Sequence, residues 1–197
     1  MIQGEGKESQ VVNSRKLNWY MSIKEDFAKV IFEELSRKHK GTRQRYVRIH
    51  ASGDFYSKEY MGKWLTIALA SKLKGLDFIF SAYTKSFSIL EDLLSNQEKL
   101  KKVYEDAYNL VKIDIPVLSK KLSIEDFNIH FIASVMDDTY IMYPSAQRII
   151  KKYDLPIYNV TSQNNGNCVK CGDTKMPCVS CMKCYTYPMQ DIVTKLR

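Results

Sequence analysis

Stretches rich in β-branched and aromatic residues alternate with amphipathic stretches along most of this chain. The strand-like stretches cover residues 46–51, 77–83, 128–136 and 156–160. Helical patterns cover residues 58–74, 88–112 and 145–153. Because strand and helix alternate, the sequence predicts an α/β fold with a mostly parallel sheet and right-handed βα units. A partial TIM-like barrel is one arrangement within this class.

All five cysteines lie in the last thirty residues, which indicates one metal-binding device. They are Cys168, Cys171, Cys178, Cys181 and Cys184. Two C-x2-C pairs, the first followed by Gly172, match a tetrahedral zinc site of four thiolates. The C-x2-C-x2-C run of the last three, completed by Cys168 or Cys171, is instead similar to the ligands of a [4Fe-4S] cluster. We favour zinc, and the odd number of cysteines argues against a disulfide framework.

Length and composition suit one domain with a small appendix. The chain has 197 residues, of which 45% are hydrophobic, enough for a real core. We expect an α/β domain over residues 1–160, with residues 1–12 flexible, and a Cys-rich appendix with a C-terminal helix over residues 161–197. Ser22 and Glu25 form a capping-box pattern that predicts the start of a helix. No apolar run is long enough to span a membrane, so we expect a cytoplasmic protein of a bacterial host.

The net charge of +8 is unevenly distributed. One stretch, residues 37–48, contains six cations and no acid: Arg37, Lys38, Lys40, Arg43, Arg45 and Arg48. Such a block attracts phosphates or an acidic protein surface. It is equally typical of a solvated basic helix end, where cations suit the helix dipole. The binding hypothesis makes these six residues the contacts for nucleic acid or a partner.

Polar residues follow the predicted strands, at the edge where parallel α/β sheets bind ligands. His50 and Asp54 follow the first strand, Lys85 follows the second and Asp138 follows the third. These four are the candidates for catalysis if the protein is an enzyme. No Walker loop, GxGxxG or HExxH pattern is present, so no catalytic motif supports an activity.

The segments YVRIHASGDFYSKEYMGKW and AYTKS, within residues 46–87, resemble motifs of the phage gene product 88-like family. Members of that family also end in a cysteine cluster. The resemblance implies an α/β barrel related to radical-SAM-type proteins. Relatives carry a further cysteine group before the segment that matches residues 12–27, and that group is missing here.

The resemblance, the missing cysteine group and the basic charge together imply a scaffold reused for binding. The expected partner is nucleic acid or a host ribonucleoprotein or nuclease complex. In its sharpest form the hypothesis is a counter-defence protein, for example an inhibitor of a CRISPR effector complex. The alternative is an iron–sulfur or radical-SAM-like enzyme with a pocket at the carboxyl ends of the strands.

Overall fold

A parallel sheet forms the centre of the computed structural model, which describes residues 5–40, 45–50, 53–136, 143–161, 169–170 and 192–195. Its strands are β1 (Tyr46–Ile49), β2 (Ile79–Thr84), β3 (Ile129–Met136), β4 (Ile157–Thr161), β5 (Val169–Lys170) and β6 (Ile192–Lys195). Their order in the sheet is β1-β2-β3-β4-β6-β5, and every neighbouring pair is parallel. The predicted α/β class with a parallel sheet is therefore confirmed. Closure into a partial barrel stays a prediction.

Six helices accompany these strands in the described ranges. They are α1 (Glu5–Ile23), α2 (Phe27–His39), α3 (Lys58–Leu73), α4 (Phe87–Leu94), α5 (Gln97–Val111) and α6 (Pro144–Lys152), with a 3-10 turn at Ile124–Phe127. The single helix predicted over residues 88–112 is two helices in the structure. Asn96 separates them, because its side chain accepts a hydrogen bond of 3.1 Å from the backbone of Lys99 and caps α5. No helix in these ranges is long and apolar enough to cross a bilayer.

The start of the chain differs from its prediction. Residues Glu5–Ile23 form helix α1, which the sequence reading did not predict, since glutamate, lysine, glutamine and arginine all favour helix. The flexibility of residues 1–12 stays a prediction. The capping box at Ser22 is wrong. Ser22 lies in the last turn of α1, where its hydroxyl donates to the carbonyl of Trp19 at 2.7 Å, and the next helix begins only at Phe27.

The end of the chain also differs. Ile192–Lys195 is strand β6, so the predicted C-terminal helix is wrong at these residues. The physical reason is a run of β-branched side chains, which pack better on a pleated sheet than on a helix. Because β6 pairs with β4, the sheet continues past residue 160. The division into two domains at that point stays a prediction.

One face of the sheet contributes to the hydrophobic core. Phe80 and Ala82 on β2, and Phe131, Ala133 and Val135 on β3, share this face by register and are all buried. Helix α3 is buried along most of its length and packs against α2, α4 and α5. The other face of the sheet has a different character, described with the site below.

Candidate functional site

The carboxylate of Asp54 ties the loop after β1 to the loop after β2. One carboxylate oxygen accepts hydrogen bonds of 2.7 Å from the backbone of Phe55 and from the hydroxyl of Thr84. The other oxygen accepts a bond of 2.5 Å from the backbone of Lys85. In return, the Ser86 hydroxyl donates to the carbonyl of Phe55 at 2.7 Å. The two sequence motifs therefore form one cross-linked corner at the carboxyl edge of the sheet.

His50 lies beside this corner in an uncommon backbone conformation. Its φ is 61°, a left-handed value that non-glycine residues seldom adopt. Its Nε2 is 3.0 Å from the hydroxyl of Tyr60, and its ring meets that of Phe55 edge-on at 4.6 Å. Burial lowers the pKa of His50, against a smaller opposite effect of Asp54, which favours the neutral imidazole. Its Nδ1 is buried and has no hydrogen-bond partner in the described part of the chain.

Three of the four catalytic candidates thus lie in neighbouring loops at one edge. His50 and Asp54 are half-buried, and Lys85 is exposed. Asp138 lies outside the described residues. Asp54 accepts its hydrogen bonds from the backbone of Phe55 and Lys85 and from Thr84, so in this structure it holds the two loops together. The assignment of the four residues to catalysis stays a prediction.

The first half of the basic stretch is partly neutralised on α2. The guanidinium of Arg37 bonds Glu34 through two nitrogens, with a closest distance of 2.6 Å, and Lys38 is 3.3 Å from the same carboxylate. The hydrogen bond from Arg37 is the main cause that lowers the pKa of Glu34. Lys40 follows the helix and is exposed. Arg43 lies outside the described residues.

The second half of the basic stretch leads onto β1 and meets aromatic rings. The guanidinium of Arg45 is 6.0 Å from the ring centre of Phe78. The guanidinium of Arg48, which is exposed, lies 4.4 Å from the ring centre of Tyr83 on β2. A cation at this distance from an aromatic ring is attracted by its electron-rich face. Among the described cations, Arg37 and Lys38 thus pair with Glu34 on α2, whereas Arg45 and Arg48 lie near aromatic rings of the sheet. The assignment of the six cations as partner contacts stays a prediction.

Arg48 and Tyr83 belong to the second face of the sheet. Register places Arg48, Ser81 and His130 side by side on this face, and Ser134 beside Tyr158 further along. Alternation along β1 to β4 places the following residues on this face: Tyr46, Arg48, Ile79, Ser81, Tyr83, His130, Ile132, Ser134, Met136 and Tyr158. Apart from Ser81 and Ile132, all are half-buried or exposed, in contrast to the buried core face.

Two tyrosines extend the contact of Arg48 across this face. The rings of Tyr83 on β2 and Tyr158 on β4 meet edge-on with centres 5.0 Å apart, above the intervening strand β3. Ser134, the register partner of Tyr158, is a small residue on β3. A guanidinium and two aromatic rings thus form a row from β1 to β4, which we call the aromatic row: Arg48, Tyr83 and Tyr158.

The five cysteines all lie outside the described residues. Cys168 directly precedes β5 in sequence and Cys171 directly follows it, so two of them border an edge strand of the sheet. Within the described ranges, no three His, Cys, Asp or Glu residues are grouped closely enough to hold a metal ion. The metal assignment therefore stays a prediction.

Sequence reasoning predicted neither the contact of Tyr83 with Arg48 nor its contact with Tyr158. The available signal was period-two alternation, which places Tyr83 on the same face as Ser81 in β2. That signal does not say which face is covered by helices, nor which residues of other strands lie beside it. Burial supplies the first, and strand register supplies the second.

Fold and strand-end corner together define an α/β protein with a parallel sheet, two interlocked loops and a second sheet face of mixed polar and aromatic character. The family model Gene product 88 matches residues 2–186, a range that includes both motifs and all five cysteines. The chain belongs to this phage protein family. No curated protein and no solved structure matches the chain.

Proposed function

We propose that this protein is a phage binding protein that engages single-stranded nucleic acid across the aromatic row. The observation that carries the proposal is the guanidinium of Arg48 lying 4.4 Å from the ring centre of Tyr83, on the sheet face that is less buried. Bases stack on aromatic side chains and on guanidinium planes, and a sheet surface with such side chains is a common platform for single strands.

Charge supports the same proposal. The net charge of +8 attracts a polyanion, and Arg48 on this face is an exposed cation, as is Lys40 at the end of α2. The strand would be held by stacking at the aromatic row and by phosphate contacts around it. In a phage protein the natural targets of such a surface are host nucleic-acid machines. An inhibitor of a CRISPR effector complex is one specific form of this proposal.

We also propose that the cysteines bind zinc and stabilise the end of the chain. Donor chemistry supports zinc, since the two C-x2-C pairs provide four thiol ligands and Cys178 is a fifth thiol. Zinc bound by four thiolates leaves no open position for a substrate, so its contribution would be folding free energy. Elemental analysis should find about one zinc per chain. A chelator should make residues 161–187 more sensitive to protease.

One observation favours the alternative of an enzyme with a strand-end pocket. The buried Nδ1 of His50 has no hydrogen-bond partner among the described residues and lies beside the interlocked loops. A substrate group could supply that partner. Iron and sulfide in anaerobically purified protein, with visible charge-transfer absorbance, would favour this alternative over zinc.

Fluorescence anisotropy with a labelled oligonucleotide of about 12 nucleotides tests the binding proposal. Arg48→Gln should weaken binding and reduce the salt dependence by about 0.7 in slope, the value for one phosphate contact on a single strand. Arg37→Gln removes the same charge from a guanidinium already paired with Glu34, and should have the smaller effect. This pair of variants separates a local contact from loss of net charge.

Tyr83 tests stacking independently of charge. Tyr83→Leu should weaken binding by about 1–3 kcal/mol, the usual contribution of one stacked base, whereas Tyr83→Phe keeps the ring and should retain most of the affinity. Thermal unfolding of both variants verifies that the fold is kept. If Arg48→Gln, Arg37→Gln and Tyr83→Leu all bind as tightly as the unmodified protein, the aromatic row is not the binding surface.

A further inference from the structure

An open groove of about 780 Å³ lies between α2, α3 and α5. None of its lining residues belongs to a strand, so it is separate from the aromatic row. The walls are the start of α2 and the length of α5, and the first half of α3 lies between them.

The floor of the groove lies where the three helices meet, and α3 and α5 approach each other closely there. A side chain at Gly62 of α3 would place its Cβ 3.3 Å from a methyl group of Val103 on α5, a tight contact. The hydroxyl of Thr66 is used internally, donating to the carbonyl of Val103 at 3.4 Å. Ala28 and Leu110 complete this small, apolar floor.

Lysines surround the floor. Five lysines and three acids line the groove: Lys29, Lys58, Lys63, Lys99 and Lys102, with Glu25, Glu59 and Asp106. Two of the lysines, Lys58 and Lys99, share the carboxylate of Asp92 at 3.5 and 2.9 Å. Among the described residues no salt bridge engages Lys29 or Lys102, which stand on opposite walls. The lining therefore carries two more cations than acids, and on each wall lies a lysine that makes no salt bridge within the described residues.

We propose that this groove docks an acidic amphipathic helix of a partner protein. An apolar floor between charged walls is the arrangement that receives one face of a helix, with the apolar side chains inward and the acids toward the lysines. A helix of about 10 Å diameter has a cross-section of about 80 Å², so the groove volume corresponds to about two helical turns. This surface is additional to the proposed nucleic-acid surface and does not depend on it.

The test uses a synthetic fluorescein-labelled peptide of four helical turns, with leucines at i, i+3, i+4 and i+7 and glutamates on the flanks. The full-length protein should bind it at least tenfold more tightly than a scrambled peptide of the same composition. Lys29→Glu combined with Lys102→Glu should weaken binding at least tenfold. The matched control, Lys72→Glu with Lys74→Glu, reverses two exposed lysines at the other end of α3 and should change binding less than twofold.

A second variant tests the shape of the groove without changing its charge. Asn109 is exposed and lines the groove, so Asn109→Trp should fill it while keeping the fold, and should weaken peptide binding at least fivefold. An unlabelled oligonucleotide should not displace the peptide. Equal affinity for patterned and scrambled peptides would overturn the proposal, as would an equal effect of the control pair, no effect of the groove variants, or displacement by the oligonucleotide.

Discussion

Replacing Asp54 by asparagine should destabilise the protein by loosening the corner between the loops after β1 and β2. The asparagine oxygen can keep the bonds from Phe55 and Thr84, which reach one carboxylate oxygen. The new NH2 group replaces the oxygen that accepts from the backbone of Lys85. A donor then faces a donor, and the bond is lost.

The size of the effect follows from the bonds involved. A hydrogen bond to a charged group contributes about 1.5–3 kcal/mol. Lys85 is exposed, so water replaces part of its lost bond, and the two remaining bonds weaken because the acceptor is now neutral. We expect Asp54→Asn to lower the free energy of unfolding by about 2 kcal/mol. For a chain of this length that corresponds to about 4–8 °C in Tm.

Urea unfolding followed by circular dichroism measures this change. Asp114→Asn is the matched control, because Asp114 is exposed and makes no hydrogen bond or ion pair in the described structure; it should stay within about 0.5 kcal/mol. In a double-mutant cycle with Thr84→Val, Asp54 and Thr84 should show a coupling of about 0.5–1 kcal/mol. An Asp54→Asn variant as stable as the control would refute the role of the carboxylate in holding the loops.

Three further outcomes are expected. Because burial lowers the folded-state pKa of His50, the unfolded chain binds the proton more readily, so stability should fall as pH drops below about 6.5. His50→Asn should flatten that fall in urea midpoints measured on both sides of pH 6.5; an unchanged slope would contradict it. Glu91→Gln should lower Tm by breaking the two-pronged bond with Arg148 at 2.6 and 2.7 Å, with a smaller loss at high salt; equal losses at both salt concentrations would argue against an ionic cause. Burial and the hydroxyl of Tyr108 raise the pKa of Tyr104 to about 12, so NMR titration of ring-labelled tyrosine should find a late-titrating ring that shifts earlier in Tyr108→Phe; identical titration curves in both proteins would contradict the pairing.

Much of the fold could be predicted because the strands carry strong local signals. The four predicted strands lie within two residues of their predicted positions, since runs of β-branched and aromatic residues suit a sheet. The capping box at Ser22 failed because a local pattern does not reveal a contact across the chain. In the structure the Ser22 hydroxyl is 2.7 Å from that of Tyr56, thirty-four residues away, and lies at the end of a helix.

The candidate site could be predicted only in part. His50, Asp54 and Lys85 share one edge because the carboxyl ends of parallel strands meet there. The different surroundings of the basic residues could not be predicted, because Arg37 lies on a helix beside Glu34 while Arg48 lies on a strand beside Tyr83. The partners of Arg48 on other strands depend on strand register, which cannot be read from the local sequence pattern.

Photo-crosslinking tests the proposed nucleic-acid surface most directly. A single-stranded oligonucleotide containing 4-thiouridine is bound to the full-length protein, irradiated and digested, and the modified residues are identified by mass spectrometry. Crosslinks should fall on Tyr83 or Tyr158, and should be lost in Arg48→Gln but kept in Arg37→Gln. Crosslinks confined to residues away from the second sheet face, or equal crosslinking of both variants, would contradict the proposed surface.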